Sequence, residues 1–259
     1  MSARLRAGLP AIALALGLLA AWELYVDLAG IGEQLLPAPH AVAQALWDSA
    51  GLLWHNFTVT AGEVLLGLAL ALSAGLALAV AIHLSPLLRR ALYPLAVGSQ
   101  AVPIPVVGVL LVFWWGFGIF PKLVVIALIC FFPVVVATVD GLAAVDPEQP
   151  KLLRTLDASR WQAFRFAELP AALPAAISGA RIALTIGVIG AFIAETTTPT
   201  SGPYPGLGRE ILSDVNFQTA RAYAGSAILI VFAIACFYAL SGAERKLAPW
   251  HTRARGETP

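Results

Sequence analysis

One short stretch of an otherwise apolar chain concentrates side chains that can make specific polar contacts. Residues 154–174 read RTLDASRWQAFRFAELPAALP and contain three arginines, an aspartate, a glutamate and a tryptophan. Aromatic and cationic side chains on a helix suit docking into a groove of a protein partner. They equally suit an amphipathic segment that lies on membrane lipid, with its arginines near anionic headgroups. The pattern leaves both interpretations open.

The patterns of known catalytic and metal sites are absent from the sequence. No G-x-x-x-x-G-K-[ST] loop occurs, so this chain should bind no ATP through such a loop and no other cofactor is expected. The four histidines are scattered without the spacing of metal ligands, and Cys130 and Cys236 lie inside apolar runs. We therefore expect no catalytic residue, no metal site, no enzyme activity and no nucleic-acid partner.

The composition is that of a membrane protein. Of the 259 residues, 59% are hydrophobic and only 12% are charged, too few charges to cover a soluble domain of this length. Continuous apolar runs without strict alternation favour bilayer-spanning helices over a barrel. The fold class predicted is therefore an all-α membrane protein with about six transmembrane helices. The expected spans lie near residues 8–29, 61–84, 92–114, 121–141, 169–194 and 222–242.

The basic residues fall mostly on one side of these spans. Twelve of the 16 Lys and Arg residues precede the first span or follow the second, fourth or sixth span, whereas three lie on the opposite side. Because positively charged loops stay in the cytoplasm, both termini and the loop between spans four and five are predicted to be cytoplasmic. Residues 30–60 are then expected to be a polar loop on the outer face of a multi-pass cell-membrane protein.

The large cytoplasmic loop carries signals for two short helices. Asp146 can cap the first helix, and Pro147 suits its first turn. Ser159 can cap the second, where Gln162 three residues later can complete a capping box. The two helices are expected to separate near Asp157.

Apolar side chains on these two helices follow helical spacing. Leu152, Leu153 and Leu156 share a face of the first helix, and Trp161 and Phe164 share a face of the second. These residues are the candidate knobs of a docking surface.

The stretch LLRTLDASRWQAFRFAELPAALPAAISGARIAL resembles the EAA loop of the inner-membrane permease subunits of ATP-binding-cassette importers. Residues 158–161 match the run after the family's glycine, and residues 169–170 match its closing Leu-Pro. The EAA triplet itself is replaced by Lys-Leu-Leu at 151–153, and the glycine is Asp157. Aspartate tolerates the left-handed conformation that glycine would adopt there, at some cost.

Within that family the chain is similar to the nitrate, sulfonate and taurine type, which includes thiamine-precursor and riboflavin branches. The stretches VPIPVVGVLLVFWWGFGIFP and IALTIGVIGAFIAET carry this likeness, as does the Gly-Leu-Gly at 206–208. The resemblance implies type I importer architecture, P-loop ATPase subunits, a second permease copy in a homodimer, and an external substrate-binding protein. The solute implied is a small organic molecule, either a heterocyclic vitamin precursor or a sulfonate or nitrate.

The resemblance also assigns roles along the chain. Residues 1–60 would hold the first span and the external loop, 61–245 the permease core with coupling helices at 146–166, and 246–259 a cytoplasmic tail. The residues expected at the ATPase-coupling interface are Leu152, Leu153, Arg154, Leu156, Asp157, Ala158, Ser159, Arg160, Trp161 and Phe164.

A second set of residues is a candidate for the translocation pathway: Trp114, Phe117, Arg181, Gly187, Gly190 and Glu195. Each has a simpler alternative. The aromatic residues suit an interfacial belt, and the glycines suit close helix packing. Arg181 could reach the cytoplasmic interface or pair with Asp140, and Glu195 could simply end a helix. Glu63, near the outer start of span two, is expected to extend its carboxylate to the membrane–water interface.

A different functional class is also compatible with the composition. A secondary transporter or channel driven by an ion gradient would be equally apolar. Against this alternative, the sequence shows no acidic or histidine relay in the middle of the spans and no paired broken helices in two halves.

Overall fold

The computed structural model describes residues 3–197 and 205–247. Residues 248–259, most of the expected tail, lie outside the described residues, as do residues 198–204 before the Gly-Leu-Gly motif. No strand occurs in the described part of the chain. Its α-helices are α1 (Ala3–Ala29), α2 (Pro39–Asp48), α3 (Ala50–Leu84), α4 (Pro86–Gly98), α5 (Ile104–Trp115), α6 (Ile119–Ala143), α7 (Glu148–Thr155), α8 (Arg160–Ala163), α9 (Leu169–Thr197), α10 (Leu207–Asp214) and α11 (Thr219–Leu247).

Five helices of the described residues are long and apolar enough to cross a membrane. They confirm five of the expected spans. A π-helical turn, Phe164–Glu168, joins α8 to α9 without a break, so the fourth of these helices begins well before the predicted span. The spanning stretches are Ile12–Ala29, Ala50–Leu84, Ile119–Ala143, Arg160–Thr197 and Thr219–Glu244.

The predicted third span, near residues 92–114, is not one helix. It is divided into α4 and α5, with a 3₁₀ turn at Ser99–Ala101 and the extended residue Val102 between them. The cause is the pair Pro103 and Pro105, because neither proline has an N–H to donate and each restricts the residue before it. The apolar run is helical on both sides of this point, but it does not form one continuous helix.

The expected outer loop at residues 30–60 is also largely helical. α2 (Pro39–Asp48) occupies its centre, and α3 starts at Ala50 rather than near residue 61. Pro39 at the first position of α2 fits a helix start, since its missing N–H would have no partner there. The polar residues of this segment therefore lie largely on helices and not in an irregular loop.

The chain divides into two compact units. Met1–Val59 and Pro203–Ile230 form the first, and Thr60–Gly202 and Val231–Pro259 form the second. In the first unit, Gly206 at φ 105° is in a conformation that suits glycine, and its N–H donates to Asn56 Oδ1 at 3.1 Å. Leu207 beside it is fully buried. The Gly-Leu-Gly motif thus fixes the start of α10 to α3.

In the second unit, α6 and α9 pack closely. Val125, Ile126, Val134 and Val135 of α6 are fully buried. A Cβ at Gly179 of α9 would lie 2.8 Å from a backbone carbonyl of α6, so any side chain there would push the helices apart. Small residues therefore set the short distance between the two helices.

Candidate coupling surface and buried charge cluster

The two short helices predicted for the loop at residues 146–166 form as their sequence predicts. α7 runs over Glu148–Thr155, and Asp146 Oδ1 accepts the N–H of Glu148 at 2.9 Å. The Asp146 carboxylate therefore satisfies a free N–H of the first turn, although the helix begins one residue later than a cap at Asp146 would place it.

The turn between α7 and α8 is left-handed at Asp157. Its φ is 58°, and it is the one non-glycine residue with positive φ in the described chain. The N–H groups of Asp157 and Ala158 donate to the carbonyls of Arg154 and Leu153, each at 3.1 Å, which closes the end of α7. The expected left-handed turn is confirmed at Asp157.

A capping box starts α8. The N–H of Gln162 donates to Ser159 Oγ at 3.3 Å, and the N–H of Ser159 donates to Gln162 Oε1 at 2.7 Å. Both bonds satisfy N–H groups that would otherwise lack a partner at the helix start. The short helix is therefore locally defined, as predicted.

Apolar side chains of this loop project from the second unit. Leu152, Leu156 and Trp161 are exposed, Trp161 by 56% of its surface. Arg154 is exposed beside them, whereas Leu153 is half-buried. We call Leu152, Leu156 and Trp161 the apolar face of the loop. Exposed apolar side chains on a well-capped loop form a surface suited to contact with another molecule.

Phe164 does not belong to this face and corrects the predicted interface. It is only 2% exposed and packs against Leu142 of α6 and Ala172 of α9. Its ring stacks beneath Trp161, with the ring centroids 5.3 Å apart. Phe164 therefore anchors the loop and supports Trp161 from behind, and it is not a free knob.

Polar contacts tie the same loop to the end of α3. The guanidinium of Arg160 donates to the carbonyl of Leu84 at 2.8 Å. His83 Nε2 lies 2.6 Å from Glu168 Oε2 in the π-helical turn. Since that turn continues into α9, a displacement of the loop would be transmitted directly to two long helices.

A second group of charges lies buried in the same unit. Lys122 Nζ of α6 is 2.8 Å from Glu63 Oε1 of α3, and these residues are 1% and 3% exposed. Thr60 Oγ1 of α3 donates to Glu195 Oε1 of α9 at 2.6 Å, and Glu195 is 1% exposed. We call Thr60, Glu63, Lys122 and Glu195 the buried charge cluster. It joins the first half of α3 to the start of α6 and the end of α9, a level that the basic-residue pattern predicts to lie toward the outer side.

The buried charge cluster corrects the expectation for Glu63, and the pathway role of Glu195 stays a prediction. Glu63 does not extend to the interface, because the Lys122 ammonium holds it inside. Glu195 is enclosed rather than open to a solute or a docking protein in this structure. Lys122 was not among the candidate residues, although a lysine within the apolar run IFPKLVV was a visible signal.

The two candidate pathway glycines face α6. A Cβ at Gly187 would lie 2.9 Å from Cys130 Sγ, and one at Gly190 would lie 3.0 Å from Ile129 Cδ1. Both positions are buried. In the described structure both glycines allow close packing of α9 against α6. Their assignment to the translocation pathway stays a prediction.

Arg181 pairs with α11 and not with Asp140. Its guanidinium lies 3.1 Å from Glu244 Oε2 and donates to Ser178 Oγ and Ser241 Oγ. Asp140 is exposed. The ion pair compensates Arg181 within the apolar span, and it ties α9 to the end of α11.

The aromatic candidates Trp114 and Phe117 are exposed. They lie at the end of α5 and in the glycine-flanked turn that follows it. Gly116 in this turn has φ 75°, a conformation that favours glycine. Two aromatic faces are therefore presented outward, next to Trp115, whose ring packs edge-on against Phe120.

Among the residues that the structure describes, no group of three His, Cys, Asp or Glu side chains has the geometry of a metal site.

Comparison with known proteins gives consistent matches over most of the chain. Residues 67–247 match the family model described as binding-protein-dependent transport system inner membrane component. A probable ABC transporter permease protein of Haemophilus influenzae is 34% identical over 224 residues, which are 86% of this chain and 90% of that protein. The formylaminopyrimidine transport permease protein ThiX of Halalkalibacterium halodurans is 31% identical over 240 residues, 91% of this chain and 93% of that protein. A solved structure of the MetNI methionine ABC transporter, in an inward-facing conformation, matches with a TM-score of 0.67 at 15% identity. It covers 78% of this chain and 97% of that chain, a likeness of fold alone.

Proposed function

This chain belongs to the family of binding-protein-dependent transport system inner membrane components, and from this membership we propose how it works. It is a permease subunit of an ATP-binding-cassette importer for small solutes and not an enzyme. In our proposal two copies form the translocation pathway, and the cytoplasmic loop couples them to separate ATPase subunits. An external substrate-binding protein delivers the solute. ATP is bound by the partner subunits, and this chain binds no cofactor.

The observation that carries the proposal is the construction of the cytoplasmic loop. Its apolar face of Leu152, Leu156 and Trp161 is exposed, while Phe164 and Arg160 fix it to long helices. A surface that binds a moving partner and is fixed to the spans can transmit the partner's movement. A segment that only lies on lipid does not require these anchors.

The ATPase assignment is tested by reconstitution. The purified chain alone should hydrolyse no ATP above a mock preparation. Co-expressed with a P-loop ATPase subunit of an importer of this family, it should retain that subunit through purification and show ATPase activity in liposomes. ATPase activity of the chain alone, or failure to retain the co-expressed subunit, would contradict the proposal.

The orientation in the membrane belongs to the same proposal. Gln149 in the cytoplasmic loop and Gln44 on α2 are both exposed glutamines. In a background lacking Cys130 and Cys236, an impermeant thiol reagent should label Gln149→Cys only from the cytoplasm and Gln44→Cys only from outside. The reverse labelling would overturn the topology and remove the loop from the ATPase side.

For the solute we propose a small planar heterocycle of the pyrimidine type ahead of a sulfonate or nitrate. The support is the name of the Halalkalibacterium relative and the exposed rings of Trp114 and Phe117, which suit stacking with a planar molecule. Uptake of a labelled formylaminopyrimidine should be competed by unlabelled pyrimidine and not by taurine. Competition by taurine alone would select the sulfonate alternative.

A further inference from the structure

The buried charge cluster contains more acidic than basic groups. Glu63 and Glu195 supply two carboxyl groups, Lys122 supplies one ammonium group, and all three side chains are buried. Thr60, the fourth member, is fully buried and carries no charge. With both carboxyl groups ionised, the cluster would hold one uncompensated negative charge away from water. Such a buried charge is costly, and a buried acid commonly avoids the cost by binding a proton.

One carboxylate oxygen of the cluster has no donor. Lys122 Nζ donates to Glu63 Oε1 at 2.8 Å, whereas Glu63 Oε2 is buried and has no hydrogen-bond partner among the described residues. Lys122 of α6 and Glu195 of α9 are the charged side chains that face Glu63, and the Glu195 carboxyl group lies within hydrogen-bonding reach of it. Ionised carboxylates are acceptors only, so this contact is repulsive unless a proton lies between the two groups.

The surroundings of the two carboxyl groups differ in a way that decides which one carries the proton. Glu63 forms the ion pair with Lys122, which requires its ionised form. Glu195 lies in the last turn of α9 (Leu169–Thr197), where the carbonyl groups of a helix end oppose a negative charge. Glu195 Oε1 accepts from Thr60 Oγ1 at 2.6 Å, which leaves Glu195 Oε2 to hold a hydrogen.

We propose that the buried charge cluster binds one proton, which is held on Glu195 and donated to Glu63. The cluster is then neutral, with one ammonium, one carboxylate and one carboxylic acid. The proton joins α3 to α9 through a contact that two carboxylates would push apart. When the solution becomes alkaline, the proton leaves to water and the same contact becomes repulsive. The packing of α3 against α9 at this level therefore depends on pH.

Infrared spectroscopy of the purified chain in detergent tests whether the proton is present. A protonated carboxyl group has a C=O stretching band that is separate from the bands of carboxylates and of the backbone, and this band shifts in D2O. At neutral pH, Glu195→Gln should remove one such band from the spectrum of the parent. Glu148→Gln, at an exposed carboxylate, is the matched control and should leave the band in place. A parent without this band, or a band unaffected by Glu195→Gln, would overturn the proposal.

The pH dependence of stability is a second measurement of the same proton. Carboxyl groups of an unfolded chain are ionised above about pH 4.3, so at neutral pH the folded cluster binds one proton more than the unfolded chain. Raising the pH therefore favours unfolding, by about tenfold in the unfolding equilibrium constant per pH unit, until the folded cluster releases its proton. Glu195→Gln carries an amide N–H in place of the proton and should lack this dependence. Parallel pH profiles for the two proteins would contradict the proposal.

Glu63→Gln is a second variant for the case in which Glu195→Gln fails to accumulate. Lys122 then needs the Glu195 carboxylate as its counter-ion, so the same infrared band should be lost. A band that persists in Glu63→Gln would show that Glu195 holds a proton without Glu63, and would overturn the sharing of the proton. These measurements use no solute and no ATPase subunit, so their failure leaves the import assignment standing, and absent uptake leaves their result standing.

Discussion

The loop that contains α7 and α8 and the buried charge cluster are two charged regions of one unit in opposite environments. In the loop, Lys151 and Glu148 form an ion pair whose side chains are 63% and 74% exposed. In the cluster, the pair of Lys122 and Glu63 is almost completely enclosed. Water screens the first pair and leaves it nearly neutral in energy, whereas the second pair depends on its partners for all compensation of its charges.

The difference in exposure predicts which property each region controls. Exposed charges and apolar side chains of the loop are available to a partner, and their loss should alter association before stability. The buried charge cluster offers little surface, so its loss should alter the stability of the spans first. Four substitutions separate these effects.

The largest effect is expected for Lys122→Met. It leaves the Glu63 carboxylate buried without its cation, which costs about 3–5 kcal/mol in buried pairs. A denaturant titration of the purified chain in detergent measures the loss in the free energy of unfolding. The double variant Lys122→Met with Glu63→Gln should recover part of it, because the Glu63 charge is then removed together with its cation. A single variant as stable as the parent would show that the cluster is hydrated and not buried.

The next effect is expected for Trp161→Ala. If its exposed ring is an anchor in the ATPase groove, association should weaken by about 2 kcal/mol, or roughly thirtyfold. Retention of the ATPase subunit and solute uptake are measured at equal membrane abundance. Trp47→Ala, at another exposed tryptophan on α2, is the matched control and should change neither. Normal retention with Trp161→Ala would assign the ring to the lipid surface and withdraw the coupling role.

A smaller effect is expected for Asp157→Gly. Glycine adopts the observed φ of 58° without the clash of a Cβ, so the variant should be more stable by up to about 1 kcal/mol. Asp157→Ala keeps the Cβ and lacks the polar side chain that tolerates this region, so it should be less stable than the parent. Thermal unfolding of the three proteins in detergent gives the order. A destabilised glycine variant would indicate that the Asp157 side chain makes a necessary contact.

The smallest effect is expected for Lys151→Met, the exposed counterpart of Lys122→Met. Exposed ion pairs contribute about 0–1 kcal/mol, and the i,i+3 pair with Glu148 should lie at the lower end. Its denaturation midpoint should be indistinguishable from the parent's. If both methionine variants cost the same, exposure does not distinguish the two regions and the comparison fails.

Features set by neighbouring residues were predictable. The capping box of Ser159 and Gln162 and the left-handed Asp157 involve residues within one or two turns, so their spacing was visible in the sequence. The break in the third span does not follow from apolar length, because hydropathy does not register the N–H groups that Pro103 and Pro105 lack. Helical spacing correctly predicts that Phe164 shares a helix face with Trp161. It does not predict that α6 and α9 bury Phe164.

Amino-acid order by itself determined that the chain crosses a membrane in helices, that two short helices form between residues 146 and 166, and that the given sequence contains no phosphate-binding loop. These follow from apolar length, local caps and motif spacing. Only the tertiary structure decided that Glu63 meets Lys122, 59 residues away, and that Thr60 meets Glu195, 135 residues away. Hydrophobic periodicity predicts which residues avoid water, but it does not predict which charged side chains pair in the interior. That choice depends on how closely the small residues of α9 let α6 approach.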